Sequence, residues 1–197
     1  MFNVNTLKIK ENVLHKIKLY GLGGQGVVTA AVILAHAVSI HENKYAKTIP
    51  AYGHERRGAP VFSDVMIDDE RILLSSFVYE PNLVVIFDSS VIHKGVNVAK
   101  GIQESTVLVL NADNEESARL YKENYNFKHV YYVNASKIAI ERLGKNIPNG
   151  AMLGALARTG VVKIESIMKS LGEFFGEEKG ATNANTAREA YEQITKI

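Results

Sequence analysis

Short apolar runs alternate with helical patterns along most of the chain, and this alternation restricts the fold more than any other feature of the sequence. Residues 83–87 read LVVIF and residues 106–110 read TVLVL. Runs of this kind are typical of strands that are buried on both faces of a sheet. Strands that alternate with helices pack as a mostly parallel sheet covered by helices. The sequence therefore predicts a Rossmann-like α/β fold with flanking helices and a helical C-terminal third.

The individual elements follow from apolar periodicity and from capping residues. Strands are expected over residues 15–20, 44–49, 61–67, 83–87, 106–110 and 130–133. Helices are expected over residues 27–39, 114–124, 136–143, 149–158, 165–171 and 187–197. We also expect a hairpin turn at Asp68-Asp69 that leads into an antiparallel strand over residues 71–75. Residues 177–185 are predicted to be an exposed loop.

The composition excludes several classes of protein. At 197 residues the chain fits one domain, since domains average roughly 100–200 residues. It contains no cysteine, which excludes disulfides, thiol nucleophiles and cysteine-ligated zinc or iron–sulfur clusters within this chain. The 23 Lys+Arg against 21 Asp+Glu are too balanced to indicate binding to nucleic acid or to an anionic membrane. No membrane span or secretory signal is expected, and the predicted location is the cytoplasm.

A glycine-rich turn, Gly21-Leu22-Gly23-Gly24-Gln25-Gly26, lies between the first predicted strand and the first predicted helix. Free backbone N–H groups and the helix dipole favour an anion at such a place, which predicts a phosphate or pyrophosphate site. The alternative is that the glycines only let a tight turn and its helix approach the sheet closely.

A dinucleotide site would need one more residue. An acidic side chain at the end of the second strand, about 20 residues further on, holds the ribose of NAD. Glu42 is at about that distance but precedes the second predicted strand, which ends Thr48-Ile49-Pro50 without a carboxylate. The sequence therefore disfavours NAD.

The loop after the second predicted strand reads PAYGHERRGAP over residues 50–60. Proline and glycine at these positions indicate an irregular segment at the edge of the sheet where ligands bind in open α/β folds. Two interpretations stay open for its side chains. They could be a solvated surface, or they could shape a contact for a carboxylate, a phosphate or a partner subunit, because arginine presents a planar fork of donors. The candidate contact residues are Tyr52, Glu55, Arg56, Arg57 and Gly58.

Other polar residues offer weaker candidates. His36 and His41 are five residues apart on one predicted helix and do not share a face, so no metal site is predicted there. Asp88 is expected to cap the following helix rather than act in catalysis. Met152, Leu153 and Leu156 are spaced for one helix face, which predicts either a core or a subunit contact. No catalytic residue is predicted in this chain.

Four segments together resemble one family. They are GLGGQGVVTAA (21–31), YGHERRGAPV (52–61), VYEPN (78–82) and NGAMLGAL (149–156). They closely resemble the gamma subunit of pyruvate:ferredoxin oxidoreductase, which also occurs as a domain in single-chain members of the 2-oxoacid:ferredoxin oxidoreductase family. The resemblance covers nearly the whole chain as one gamma-type domain over residues 1–197, with residues 1–14 as an N-terminal extension.

The resemblance implies a subunit of an enzyme that oxidatively decarboxylates a 2-oxoacid, here pyruvate, to its acyl-coenzyme A and reduces ferredoxin. In that family thiamine diphosphate, Mg and the iron–sulfur clusters belong to the alpha, beta and delta (ferredoxin-like) subunits, and an external ferredoxin accepts the electrons. This chain would be an accessory subunit that binds no cofactor by itself. Its glycine turn and arginine-containing loop would contact coenzyme A or a partner subunit. The alternatives are a free-standing nucleotide-binding oxidoreductase and an interaction module with an empty Rossmann-like fold.

Overall fold

The computed structural model describes residues 14–51 and 57–197. Its strands are β1 (His15–Leu22), β2 (Tyr45–Ala51), β3 (Pro60–Asp68), β4 (Leu83–Ile86), β5 (Val107–Asn111), β6 (His129–Val133) and β7 (Thr195–Lys196). Its helices are α1 (Val27–His41), α2 (Glu115–Tyr125), α3 (Ala135–Leu143), α4 (Asn149–Ala157), α5 (Ile164–Phe175) and α6 (Glu177–Gln193), with a short 3₁₀ helix over Ser89–Lys94. Of the expected N-terminal extension, residues 1–13 lie outside the described residues.

The described strands form one seven-stranded sheet in the order β2-β3-β1-β4-β5-β6-β7. Strands β1, β4, β5 and β6 are parallel to their neighbours in this central block. Strand β3 is antiparallel to both β1 and β2, and β7 is antiparallel to β6. Strands β1, β2, β4, β5 and β6 consequently run in one direction, and the predicted mostly parallel α/β sheet is confirmed.

Side chains of the central strands alternate between two apolar layers. On β4, Leu83 and Val85 pack with α1 and the C-terminal helices, while Val84 and Ile86 pack on the other face with α2 and the 3₁₀ helix. All four are buried, as expected for a strand covered on both faces. Within the described ranges, no helix combines the length and apolar character needed to cross a bilayer.

Residues 71–75 do not form the predicted strand. They have no regular secondary structure, and Leu73 is 82% exposed. Both edges of β3 are already paired, one with β1 and the other with β2, so a segment that follows β3 finds no free edge there. The Lys47 ammonium instead donates to the Leu74 carbonyl over 2.7 Å.

The predicted loop over residues 177–185 is also wrong, because these residues begin helix α6. This helix packs very closely on its neighbours through small residues. A Cβ atom on Gly180 would lie 2.6 Å from Cα of Gly172 in α5, and one on Gly154 in α4 would lie 1.9 Å from the Ala187 carbonyl oxygen. The helix ends before residue 197, where Thr195 and Lys196 instead pair with β6 as strand β7.

Candidate functional site

The glycine turn between β1 and α1 needs glycine for steric reasons at several positions. Gly24 and Gly26 have φ of 97° and 76°, in the left-handed region that favours glycine. A Cβ atom on Gly21 would lie 2.6 Å from Cγ2 of Val27 and 2.9 Å from Cβ of Phe87. These contacts account for part of the motif by packing, whatever the turn binds.

Gln25 braces this turn from within. Its Oε1 accepts a hydrogen bond from the Leu22 backbone N–H over 2.8 Å, and its Nε2 donates to Oδ2 of Asp88 over 2.6 Å. The other oxygen of Asp88 accepts from the backbone N–H of Ser90, so the prediction that Asp88 caps the following helix is confirmed. Because its amide is engaged at both ends and Gln25 is buried, its side chain links the turn to Asp88 after β4.

The end of the arginine-containing loop pairs with the glycine turn. The Gly23 N–H donates to the Ala59 carbonyl over 2.8 Å, and the Gly58 N–H donates to the Gly23 carbonyl over 3.1 Å. Arg57 is exposed beside this pair of hydrogen bonds. Tyr52, Glu55 and Arg56 lie outside the described residues. The described part of the loop therefore meets the glycine turn at the carboxyl edge of β1.

An open cleft of about 640 Å³ lies over this junction. Gly26 is the N-cap of α1 without a side-chain hydrogen bond, and the first turn of α1 contains no acidic residue. Among the described residues that line the cleft, Arg57 carries the one formal charge. A helix N-terminus without a side-chain cap and a guanidinium make the cleft favourable for an anion. The lining residues are Leu22, Gly23, Gly24, Gly26, Val27, Val28, Thr29, Arg57, Val61, Ile147, Asn149 and Phe175.

Sequence reasoning did not select the far wall of this cleft. Asn149 is buried at the start of α4, and a Cβ atom on Gly26 would lie 2.7 Å from its Nδ2. A signal was present, since Asn149 begins one of the segments that carry the family resemblance. In the same helix, Met152, Leu153 and Leu156 are each no more than 1% exposed, which assigns them to the core of this chain rather than to a subunit contact.

The strand next to β1 argues against a dinucleotide site. In a Rossmann fold the first strand lies between two parallel strands, and one of them, the second strand in sequence, carries the acid that holds the ribose at its carboxyl end. Here β4 is parallel to β1 on one side, but the place of that second strand is taken by β3, which is antiparallel and begins at Pro60 opposite Leu22. Glu42 is engaged elsewhere, because its Oε1 accepts a hydrogen bond from the Lys163 backbone N–H over 2.7 Å. The free-standing nucleotide-binding oxidoreductase is not favoured.

The sequence analysis did not predict an ion pair that lies in the interior, between Lys18 and Asp64. The Lys18 ammonium lies 3.0 Å from Oδ1 of Asp64, whose side chain is fully buried. Oδ2 of Asp64 also accepts a hydrogen bond from the Val78 backbone N–H, and Lys18 donates to the Val78 carbonyl. Burial, with a smaller contribution from Asp64, raises the pKa of the Tyr20 phenol. The pair fixes the segment that connects β3 and β4 against the centre of the sheet.

His36 and His41 are expected not to share a helix face, yet the structure brings their side chains close together. Their ring centroids are 5.8 Å apart, and both rings approach the Glu173 carboxylate from α5. Positions five apart on a helix are offset by about 140°, yet two imidazoles can still converge on a group that lies between them.

These features define an α/β domain with a mostly parallel sheet, an antiparallel hairpin beside its first strand and an anion-favouring cleft over its glycine turn. The model of the pyruvate ferredoxin/flavodoxin oxidoreductase family matches residues 16–193. The chain belongs to this family, and the resemblance seen in the sequence is confirmed.

Relatives of known identity match over almost their full length. The chain is 42% identical over 179 residues to the pyruvate/ketoisovalerate oxidoreductases common subunit gamma of Pyrococcus abyssi, covering 90% of this chain and 96% of that protein. It is 38% identical over 182 residues to pyruvate synthase subunit PorC of Methanocaldococcus jannaschii, covering 92% and 97%. The crystal structure of the pyruvate oxidoreductase subunit PORC of Thermotoga maritima superimposes with a TM-score of 0.79 at 29% identity, over 93% of this chain and 98% of that one. This chain is a gamma-type member of the family.

Proposed function

We propose that this chain is the gamma subunit of a 2-oxoacid:ferredoxin oxidoreductase that acts on pyruvate. The complex would oxidatively decarboxylate the 2-oxoacid, transfer the acyl group to coenzyme A and reduce ferredoxin. The observation that carries this proposal is the reciprocal coverage of the match, 90% of this chain and 96% of the Pyrococcus abyssi gamma subunit. A chain that matches a whole subunit from end to end is the same structural unit, not a shared fragment.

The chemistry requires other chains. We propose alpha, beta and delta subunits as partners, with thiamine diphosphate, Mg and iron–sulfur clusters bound by them and an external ferredoxin as acceptor. The residues of this chain do not fit a ferredoxin-type cluster, because such clusters are ligated by cysteine thiolates and the sequence has none. Since coenzyme A and ferredoxin are held inside cells, the proposed location is the cytoplasm.

The glycine-turn cleft is the proposed contact site of this subunit. Its helix N-terminus and the Arg57 guanidinium suit a phosphate of coenzyme A, and the same groups suit a carboxylate of a partner subunit. The contact residues would be Gly21, Gly23, Gly24, Gln25 and Gly26 of the turn, with Tyr52, Glu55, Arg56, Arg57 and Gly58 of the loop. The turn and Gln25 would act by shaping the site, and Arg57 by direct contact.

Purification from the native host tests the assignment. The chain is expected to elute with several larger or cysteine-rich subunits, and the complex is expected to reduce ferredoxin when pyruvate and coenzyme A are supplied. The purified single chain should not oxidise any 2-oxoacid. Turnover by the single chain, or elution without partners and without activity, would contradict the proposal. Calorimetry with NAD or NADP tests the rival function and should give no Kd tighter than about 1 mM, which is about −4 kcal/mol.

A further inference from the structure

A cluster of three metal-ligating side chains lies outside the glycine-turn cleft. We propose that His36, His41 and Glu173 form a binding site for a divalent transition metal of the zinc class. The two histidines lie on α1 and the glutamate lies near the end of α5. The inference goes beyond the proposed function and does not depend on it.

The donor atoms already converge. Nε2 of His41 is 3.1 Å from Oε2 of Glu173, and Nδ1 of His36 is 3.6 Å from the same oxygen. One ligand atom from each of the three side chains lies within 4.8 Å of the other two. Ligands around tetrahedral zinc are about 3.3 Å apart, given zinc–nitrogen distances of about 2.0–2.1 Å. Small rotations of these side chains would therefore complete the ligand set.

Two imidazoles and one carboxylate form a donor set that suits zinc and neighbouring metals of the first transition row. The same set, with water in the fourth position, holds catalytic zinc in several hydrolases. Here the His36 and Glu173 side chains are 40% and 53% exposed, so the fourth position faces solvent and would be taken by water. His41 is 14% exposed and forms the inner side of the site.

Two existing contacts would have to change. A metal between Nε2 of His41 and Oε2 of Glu173 would replace their direct contact at 3.1 Å. Nδ1 of His36 lies 3.0 Å from the Oγ of Ser170, a buried residue on α5. When a metal takes that nitrogen, the Ser170 hydroxyl can donate instead to the backbone carbonyl four residues earlier in its own helix, as serines in helices often do. The rearrangement leaves no buried hydroxyl unpaired.

A metal at this site would link α1 to α5. A ligand that binds the folded chain and not the unfolded chain raises the melting temperature in a concentration-dependent way. Zinc is therefore expected to stabilise this protein, which gives a readout that needs no enzymatic activity.

The test uses the tag-free full chain, stripped of metal with a chelator and then titrated with Zn²⁺ by calorimetry. We expect one Zn²⁺ per chain and a higher melting temperature in its presence. Replacing a ligand in His41→Ala or Glu173→Gln is expected to weaken binding at least about tenfold. Co²⁺ should give the intense visible absorption of a four-coordinate site in the wild type and lose it in both variants.

The controls are His93→Ala and His129→Ala, which remove histidines that lie outside the cluster. Both variants should bind Zn²⁺ like the wild type. Glu173 is exposed, so Glu173→Gln gives a folded test protein even if His41→Ala does not fold. Absence of saturable Zn²⁺ binding by the wild type would overturn the proposal. Unchanged binding in Glu173→Gln, or loss of binding in any control variant, would overturn it as well.

Discussion

Gln25 and Asp88 are joined side chain to side chain, with Nε2 of the amide donating to Oδ2 of the carboxylate over 2.6 Å. The first residue follows β1 and the second follows β4, and these two strands are parallel neighbours at the centre of the sheet. The hydrogen bond therefore ties together two loops that leave the same edge. It holds the glycine turn in the shape that forms the cleft beside Arg57.

The first prediction concerns the hydrogen bonds of the Gln25 side chain with Leu22 and Asp88. Gln25→Ala would leave the Leu22 N–H and one oxygen of Asp88, both half-buried, without their partner, which costs about 0.5–1.5 kcal/mol of unfolding free energy. Gln25→Glu should cost more, because it places a second carboxylate against Asp88. Urea denaturation measures both. The matched control is Gln103→Ala, which removes an exposed amide whose contact with Gly101 is long, at 3.4 Å. A Gln25→Ala variant as stable as this control would show that the hydrogen bonds of Gln25 do not stabilise the folded chain.

The second prediction concerns the buried ion pair. Lys18→Met leaves Asp64 buried and unpaired, and should lower the unfolding free energy by about 3–5 kcal/mol. The double variant Lys18→Met/Asp64→Leu should recover part of this loss, since it removes the uncompensated charge. It leaves the Val78 N–H without its acceptor and the Val78 carbonyl without the Lys18 donor. Lys44→Met is the control, because Lys44 pairs with Asp69 at 3.8 Å near the surface and should cost under about 1 kcal/mol. Equal losses from Lys18→Met and Lys44→Met would refute the assigned role.

Two glycines in the middle of helices should respond in opposite directions to alanine. A Cβ atom on Gly154 would lie 1.9 Å from the Ala187 carbonyl oxygen, so Gly154→Ala should destabilise the chain by about 1–3 kcal/mol or more as α4 and α6 are pushed apart. A Cβ atom on Gly172 meets nothing within 4 Å, so Gly172→Ala should stabilise α5 by about 0.5–1 kcal/mol. The melting temperatures of the two variants decide this. Similar shifts in both would mean that the close approach of α4 and α6 is not a feature of the folded chain.

The fourth prediction concerns pH. Burial, helped by the nearby charge of Lys44, lowers the pKa of His15 from its ordinary value of 6.5, although Asp68 and Asp69 act in the opposite direction. The unfolded chain then binds the proton more tightly than the folded chain. The stability from neutral His15 is therefore complete above pH 6.5 and is lost as the pH falls below that value.

His15→Gln should accordingly lose less stability than the wild type between about pH 7 and about pH 5, as measured by urea midpoints at each pH. His129→Gln, which alters an exposed histidine on β6, should decline as the wild type does. The assignment fails if His15→Gln and the wild type decline in parallel.

The fifth prediction concerns Arg57. Because its side chain is exposed, Arg57→Ala should leave the melting temperature of the isolated chain nearly unchanged. In the complex it should weaken assembly or raise the KM for coenzyme A at least about tenfold, as expected when a desolvated charge pair loses one partner. Arg71→Ala is the control, since this exposed arginine follows the opposite end of β3. A complex that assembles and turns over normally with Arg57→Ala would assign Arg57 to a solvated surface.

Local pattern by itself determined the central strands and the glycine turn. Residues 83–87 are apolar at every position, and such a run is stable only where both faces are covered, so strand β4 could be predicted without its neighbours. The same holds for the turn, where glycine spacing between a strand and a helix restricts the backbone directly. The Asp88 cap was equally readable, because a cap depends on residues one or two positions away.

Tertiary structure decided the features that depend on distant partners. Residues 71–75 do not form a strand because β1 and β2 occupy both edges of β3. The sequence of the segment itself does not indicate which strands pair with β3. Residues 177–185 are helical because their small side chains allow close packing against α4 and α5. The segment lacks the large apolar residues by which a buried helix is usually predicted. The cleft needs Asn149 beside Gly26, and the histidine cluster needs Glu173 beside His41, each more than a hundred residues apart in sequence. Sequence periodicity reports which face of an element is apolar, whereas only the folded chain decides which elements meet.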